Sequence, residues 1–182
     1  MEIINTKLNG VFIIEPDVFG DDRGYFYESF NAKKFKEKTG IEVNFVQDNE
    51  SKSKYGVVRG LHFQKGDYAQ TKLVHVAKGR ILDIAVDIRK DSPTYGKHVA
   101  IELSDVNHRQ LYISKGFAHG FSVLSEEAIF QYKCDNYYAP QSEGGILWND
   151  PTIAIDWQIP ITDIVLSEKD KNHPLLKDLC EC

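Results

Sequence analysis

Long apolar runs are missing from this sequence: none approaches the roughly 18 consecutive residues a membrane-spanning helix needs. The opening MEIINTKLNG has neither the basic start nor the apolar stretch of a secretory leader, so a soluble, reducing, cytoplasmic setting is expected. Cysteine is scarce: Cys134, Cys180 and Cys182 are the three in 182 residues, the last two forming a C-x-C at the end of the chain. No second Cys or His pair stands at zinc spacing, which argues against a structural metal site. Basic residues are outnumbered, 22 Lys and Arg against 27 Asp and Glu, for a net charge of -5. A nucleic-acid partner needs a basic surface and is therefore not expected, whereas a small anionic ligand needs only a few local cations. Internal repeats, low-complexity stretches and linkers are lacking too, so residues 1–182 read as one domain.

Helical signals are also few. Asn31 caps a predicted helix over 32–39 that Gly40 stops. A second short helix is expected from Ser167. Strand signals dominate: residues 10–14 (GVFII), 43–47 (VNFVQ), 98–103 (HVAIEL), 110–113, 121–124, 128–132 and 153–157. The stretch 73–88, LVHVAKGRILDIAVDI, reads as two strands joined at Lys78-Gly79. Many short strands with Gly-rich turns give an all-β fold, with a jelly-roll barrel and a few short helices as its expected form.

Side chains alternate in and out along such strands, so polar groups within them face either solvent or a site. In VVRGLHFQ, Arg59, Leu61 and Phe63 share one parity and Gly60, His62 and Gln64 the other. An imidazole exchanges its proton near neutrality, so His62 has the chemistry of a general base, and equally that of a satisfied structural histidine. In SKGFAHGF, His119 stands between glycines and aromatics and reads as a side chain that a tight turn delivers to the interior. Phe130, Tyr132 and Cys134 share a face, and a tyrosine aimed into a barrel is mainly an acid at neutral pH. Lys72, at a strand start, is a candidate for an oxyanion partner or a solvated strand end. Arg23 and Arg59 carry the fork that fits phosphate. Asp170 in SEKD is either a partner for His62 or part of a helix first turn capped by Ser167. Tyr137 and Tyr138 offer faces on which a planar base stacks.

Taken in order, RGLHFQ, AQTKLVHV, ILDIAVDIR, SPTYGK, GFAHGF, YKCDNYYAPQSEGGILWNDP and LSEKD resemble the dTDP-4-dehydrorhamnose 3,5-epimerases, which are cupin-type jelly rolls. FGDDRGYFYESF and FVQDNESKS extend the resemblance to essentially the whole chain. It implies epimerisation at carbons 3 and 5 of a dTDP-linked 4-keto-6-deoxysugar, with no cofactor and no metal, in a homodimer. His62 matches the general base and Asp170 its dyad partner. Tyr132 matches the acid on the opposite face, and Lys72 and His119 lie near the sugar. Arg23, Glu28, Gln47, Asp48, Asn49, Arg59, Glu143 and Lys169 match nucleotide-sugar contacts, and Tyr138 the residue stacked on thymine.

Three departures stand out. Ser114 replaces a usual proline, His75 a usual arginine, and the end reads DWQIP rather than Trp-Pro. None falls on a proposed catalytic residue. A relative acting at carbon 3 alone would use the same base and acid, and a non-catalytic sugar-nucleotide-binding module would keep the fold without the chemistry. A metal-dependent cupin oxygenase needs an H-x-H pair with further ligands, and here Gln64 stands where the second histidine belongs.

Overall fold

The structure is a computed structural model that describes residues 1–179; Cys180 and Cys182 lie outside the described residues. Its strands are β1 (Glu2–Asn5), β2 (Val11–Glu15), β3 (Phe19–Asp21), β4 (Gly24–Phe26), β5 (Gln47–Lys54), β6 (Val58–Gln64), β7 (Lys72–Lys78), β8 (Arg80–Asp87), β9 (His98–Ser104), β10 (Gln110–Ile113), β11 (Phe117–Val123), β12 (Glu127–Cys134) and β13 (Glu143–Gly145). The helix α1 (Ala32–Thr39) follows the β3–β4 hairpin. One sheet runs β1-β2-β10-β7-β12-β5 and the other β13-β6-β11-β8-β9. From β5 onward the chain passes back and forth between them, apart from the β8–β9 hairpin, which stays in the second sheet: the expected cupin-type jelly roll. Among the described residues, no strand pair joins the two sheets into a closed barrel.

Alternation along the strands builds three apolar layers. Val74, Val76, Leu111 and Phe130 of the first sheet meet Ile81, Ala85, Val99, Phe121 and Val123 of the second between the sheets. The far face of the second sheet, with Leu61, Phe63 and Ile84, is covered by Ile146, Trp157 and Leu176 from the C-terminal third. Helix α1 covers the far face of the first sheet by setting Phe35 against Phe12, Leu73 and Tyr112. Phe35 is 1% exposed, a burial that stabilises by about 2 kcal/mol. The helix ends where local chemistry dictates. Asn31 Oδ1 accepts from the Lys34 N–H at 3.1 Å, and Gly40, at φ 73°, donates its N–H to the Lys36 carbonyl.

Four of the elements read from the sequence are corrected by the structure. Residues 43–46 are not a strand; β5 begins at Gln47 and is polar along its length. Residues 153–157 do not form a strand, because Ala154 takes φ 51° and Asp150 Oδ1 accepts from the Thr152 and Ile153 N–H groups, which curls the chain. His119 lies within the seven-residue strand β11 rather than in a turn. Near Ser167 there is a single 3₁₀ turn, Asp170–Asn172, instead of a helix.

Candidate active site

The site starts from two glycines on neighbouring strands. Gly60 of β6 has φ 118°, and a Cβ there would stand 2.7 Å from Gly120 Cα. A Cβ on Gly120 of β11 would stand 2.6 Å from the Arg59 carbonyl oxygen. Only glycine allows these backbones to approach so closely. The β6–β11 ladder slips between His119 and Phe121, beside this contact. The slip changes the parity read from the sequence. Arg59 separates from Leu61 and Phe63 and donates from Nε to Ser53 Oγ on β5, 3.0 Å away across the gap between the sheets. Leu61 and Phe63 join the outer apolar layer, and His62, between them, faces the other way.

His62 Nε2 lies 2.5 Å from Asp170 Oδ1. Ser167 Oγ donates to Asp170 Oδ2 at 2.8 Å and accepts from the Asp170 N–H at 3.1 Å, so Ser167 caps the turn that delivers the carboxylate. Of the two sequence readings of Asp170, the pairing with His62 is present, and Ser167 caps a 3₁₀ turn where a helix was expected. Asp170 is 3% exposed. Burial works against its charge, but the bonds from His62 and Ser167 and the nearby imidazoles outweigh it, and the carboxyl is held below its ordinary range. An ionised Asp170 only accepts, so the shared proton resides on His62 Nε2 and the basic lone pair is on Nδ1. A carboxyl held below its ordinary value stabilises the fold above that value and loses its contribution as pH falls through the lowered one. Asp170→Asn is expected to cost about 2 kcal/mol at neutral pH, with the gap to wild type closing on acidification. Denaturant titrations of both proteins across pH measure this.

Between the sheets lies a second polar group. Asp83 of β8, fully buried, has both carboxylate oxygens 3.0 Å from His119 Nε2. Burial pushes the Asp83 carboxyl up, against the pull of His119 and Lys72. The Lys72 ammonium stands 5.8 Å from the centroid of the Tyr132 ring. Burial pulls its proton affinity down, while the Cys134 thiol, Asp83 and Glu143 act in the other direction. Burial, with Cys134 second, raises the Tyr132 phenol above its ordinary value, despite the opposing charge of Arg59. A phenol so placed stays protonated at neutral pH.

A rim of hydrogen-bonding groups surrounds these. Tyr138 donates its hydroxyl to Glu143 Oε2 at 3.1 Å and its N–H to Gln47 Oε1 at 2.9 Å. Gln47 also donates to Asn49 Oδ1. Lys169, next to Asp170, pairs with Glu143 at 2.5 Å. Tyr138 is 56% exposed, an aromatic face open to a planar ligand. A cavity of about 530 Å³ opens beside Glu143, Gly145, Lys169 and His173.

Residues 5–178 match the family model described as dTDP-4-dehydrorhamnose 3,5-epimerase. The chain belongs to the dTDP-4-dehydrorhamnose 3,5-epimerase family. It is 56% identical over 177 residues to the dTDP-4-dehydrorhamnose 3,5-epimerase of Salmonella typhimurium, covering 97% of this chain and 96% of that one. The crystal structure of the Elizabethkingia anophelis dTDP-4-dehydrorhamnose 3,5-epimerase superposes with a TM-score of 0.94 at 57% identity, covering 98% and 97% of the two chains. A dTDP-6-deoxy-D-glucose-3,5-epimerase from Legionella pneumophila, solved in complex with dTDP-4-keto-L-rhamnose, superposes with a TM-score of 0.95 at 51% identity, covering 98% and 94%.

Within this member of the family, the fold gathers His62, Asp170, Glu143, Lys169 and Tyr138 at one rim, and Lys72, Tyr132 and His119 between the sheets. Gln47 and Asn49 run from Tyr138 to Cys134 beside Lys72, and the charge of Arg59 is felt at Tyr132. Three of the residues singled out in the sequence stand apart. Arg23 is engaged with Asp21 within the β3–β4 hairpin. Glu28 is engaged with Lys34 and Asn31. Asp48, 71% exposed, pairs with Lys133 on the far side of β5 and β12. Two residues were missed. Asp83 left a signal, an acid on the same parity as Ile81 and Ala85 within an apolar strand. His173 left none; it packs beside the dyad, and one atom each from His62, Asp170 and His173 lie within 4.8 Å of one another.

Proposed function

We propose that this chain converts dTDP-4-dehydro-6-deoxy-D-glucose to dTDP-4-dehydro-L-rhamnose by inverting carbons 3 and 5. The observation that carries the reading is the His62–Asp170 dyad, whose free Nδ1 is the basic nitrogen, set in a family member whose interior also holds a protonated tyrosine and a half-buried lysine. The ketone at carbon 4 acidifies the protons on carbons 3 and 5. His62 Nδ1 takes one of these protons, and Asp170 stabilises the imidazolium that results. The charge left on the carbonyl oxygen is an enolate. Lys72 stabilises it, and its burial makes it a stronger donor to that oxygen than a solvated lysine would be. Tyr132 returns a proton from the opposite face, which inverts the carbon. His119, fixed by Asp83, lines the same space. No electron leaves the substrate, so acid and base suffice.

The nucleotide is assigned to Arg59, Gln47, Asn49, Glu143 and Lys169, with thymine on Tyr138. Arg23, Glu28 and Asp48 complete the set in a homodimer, where a second copy covers the β3–β4 hairpin. The exposure of Phe19 (66%) and Phe26 (67%) on that hairpin supports this reading. No described helix is long and apolar enough to cross a membrane, and the chain is read as a single cytoplasmic domain.

Removing the Arg59 guanidinium takes away a charge-assisted hydrogen-bond donor to phosphate. Arg59→Ala is expected to weaken dTDP binding roughly tenfold or more; equal affinities for mutant and wild type by calorimetry would remove Arg59 from the nucleotide site. The activity itself is tested by supplying the substrate with a 4-ketoreductase and NADPH. Recovery of dTDP-L-rhamnose supports the reading, and recovery of a sugar with carbon 5 unchanged refutes it.

A further inference from the structure

Beyond the groups given roles above, one side chain leans on the base dyad. His173 follows the turn that carries Asp170, and its ring stands edge-on to His62, with centroids 5.5 Å apart and planes at 76°. Its side chain is 11% exposed. The ring packs on Gly145 of β13, the residue opposite His62 in the ladder. A Cβ at Gly145 would stand 2.3–2.5 Å from three of the ring atoms, so the strand is bare where the ring lies. His173 Nε2 is buried without a hydrogen-bond partner. It stands 3.5 Å from Asp170 Oδ1, the same oxygen that His62 holds at 2.5 Å. A buried polar nitrogen left unpaired costs free energy, and such an atom beside a reactive dyad calls for a reason.

We propose that His173 is a positioning residue for the base, its Nε2 poised 3.5 Å from the Asp170 Oδ1 that His62 holds and so limiting how tightly the carboxylate holds a proton on the base. The proposal rests on the reading of His62 as the base. A carboxylate favours the neutral imidazole tautomer whose N–H points at it, so the positive end of the His173 Nε2–H dipole, 3.5 Å from Oδ1 and short of a hydrogen bond, competes with Nε2–H of His62 for the charge of one oxygen. The competition matters most when His62 becomes the imidazolium and its bond to Asp170 strengthens. His173 must itself stay neutral for this. Burial and the charge of His62 hold its proton affinity below the ordinary value. The charged groups around it are His62 from β6, Glu143 from β13, and Asp170 and Lys169 from its own segment, with Lys65 and Asp178 lining the same cavity. Burial, His62 and Lys169 oppose its protonation; Asp170 and Glu143 favour it, and Glu143 is already paired with Lys169.

The test is the pH profile of turnover in His173→Phe and His173→Gln. Phenylalanine keeps the packing on Gly145 and removes the competing N–H. Its acid limb is expected to move up by about half a pH unit, giving roughly a threefold lower rate than wild type well below the limb. On the plateau, kcat and KM should equal those of wild type. Glutamine, whose amide N–H reaches Asp170, should return the limb towards the wild-type position. If the phenylalanine variant does not fold, His173→Asn, too short to reach the carboxylate, carries the same expectation. An unmoved limb in the variant lacking the N–H, or a loss equal at every pH, overturns the proposal. Full turnover in His62→Asn would instead overturn the assignment of the base, which keeps the two failures distinct.

Discussion

His62→Asn is expected to lower kcat by about 10²–10⁴-fold, with KM for the nucleotide sugar little changed. The size of the effect follows from what the imidazole supplies. In the proposed mechanism its Nδ1 lone pair is the proton acceptor, and Asp170, 2.5 Å from the other nitrogen, fixes the tautomer and steadies the charge that forms. An asparagine amide has almost no basicity and stops short of the position of Nε2, but Asp170 keeps the hydrogen bond that Ser167 Oγ donates to its other oxygen, so the buried carboxylate is not stranded and the fold should survive. In the proposed mechanism the nucleotide is held elsewhere, at Arg59, Glu143 and the face of Tyr138. Binding and chemistry should therefore separate, with calorimetry showing wild-type affinity for dTDP and turnover collapsing. A variant with turnover within tenfold of wild type would show that the proton leaves by another route.

Tyr132→Phe is expected to lower the rate of inversion by about 10²–10³-fold while leaving the first proton transfer in place. Tyr132 is half-buried, with its ring 5.5 Å from Phe130 and the Lys72 ammonium 5.8 Å from its centroid, and phenylalanine keeps that packing. Only the hydroxyl is lost. Burial keeps that hydroxyl protonated, which suits it to deliver a proton and not to remove one. His62 would still form the enolate in the variant and return the proton from its own face. In deuterated water the variant should take up deuterium at the reactive carbon with retained configuration, where wild type takes it up with inversion. Inversion at the wild-type rate would exclude Tyr132 as the acid.

The parts of the fold set by neighbours in the chain were legible in the sequence. Asn31 and Gly40 mark both ends of α1 because a cap bonds to backbone a few residues away. Lys78-Gly79 marks the β7–β8 turn for the same kind of reason. Strand β5 was not legible. Its residues, QDNESKSK, have no apolar alternation, and it is a strand because it pairs with β12 from Gln47↔Cys134 to Lys54↔Glu127. The converse error is 153–157, where alternation is present but a left-handed Ala154 breaks the extended chain. The site divides the same way. His62 and Asp170 are 108 residues apart, and no spacing rule connects them; only the resemblance to the family did so. The parity of Arg59 was misread because the slip beside Gly60 depends on Gly120, in another strand. His173 was invisible for a related reason, since its place beside the dyad is fixed by the bare backbone of Gly145.

Double inversion through an enolate is tested most directly by incubating the protein with dTDP-4-dehydro-6-deoxy-D-glucose in deuterated water and following the proton signals of carbons 3 and 5. Loss of both signals, at rates abolished together by His62→Asn, is the expected result. Loss at carbon 3 alone would make the protein a single-carbon epimerase. Retention of both signals while dTDP still binds would contradict the proposed chemistry outright and leave a sugar-nucleotide-binding fold without it.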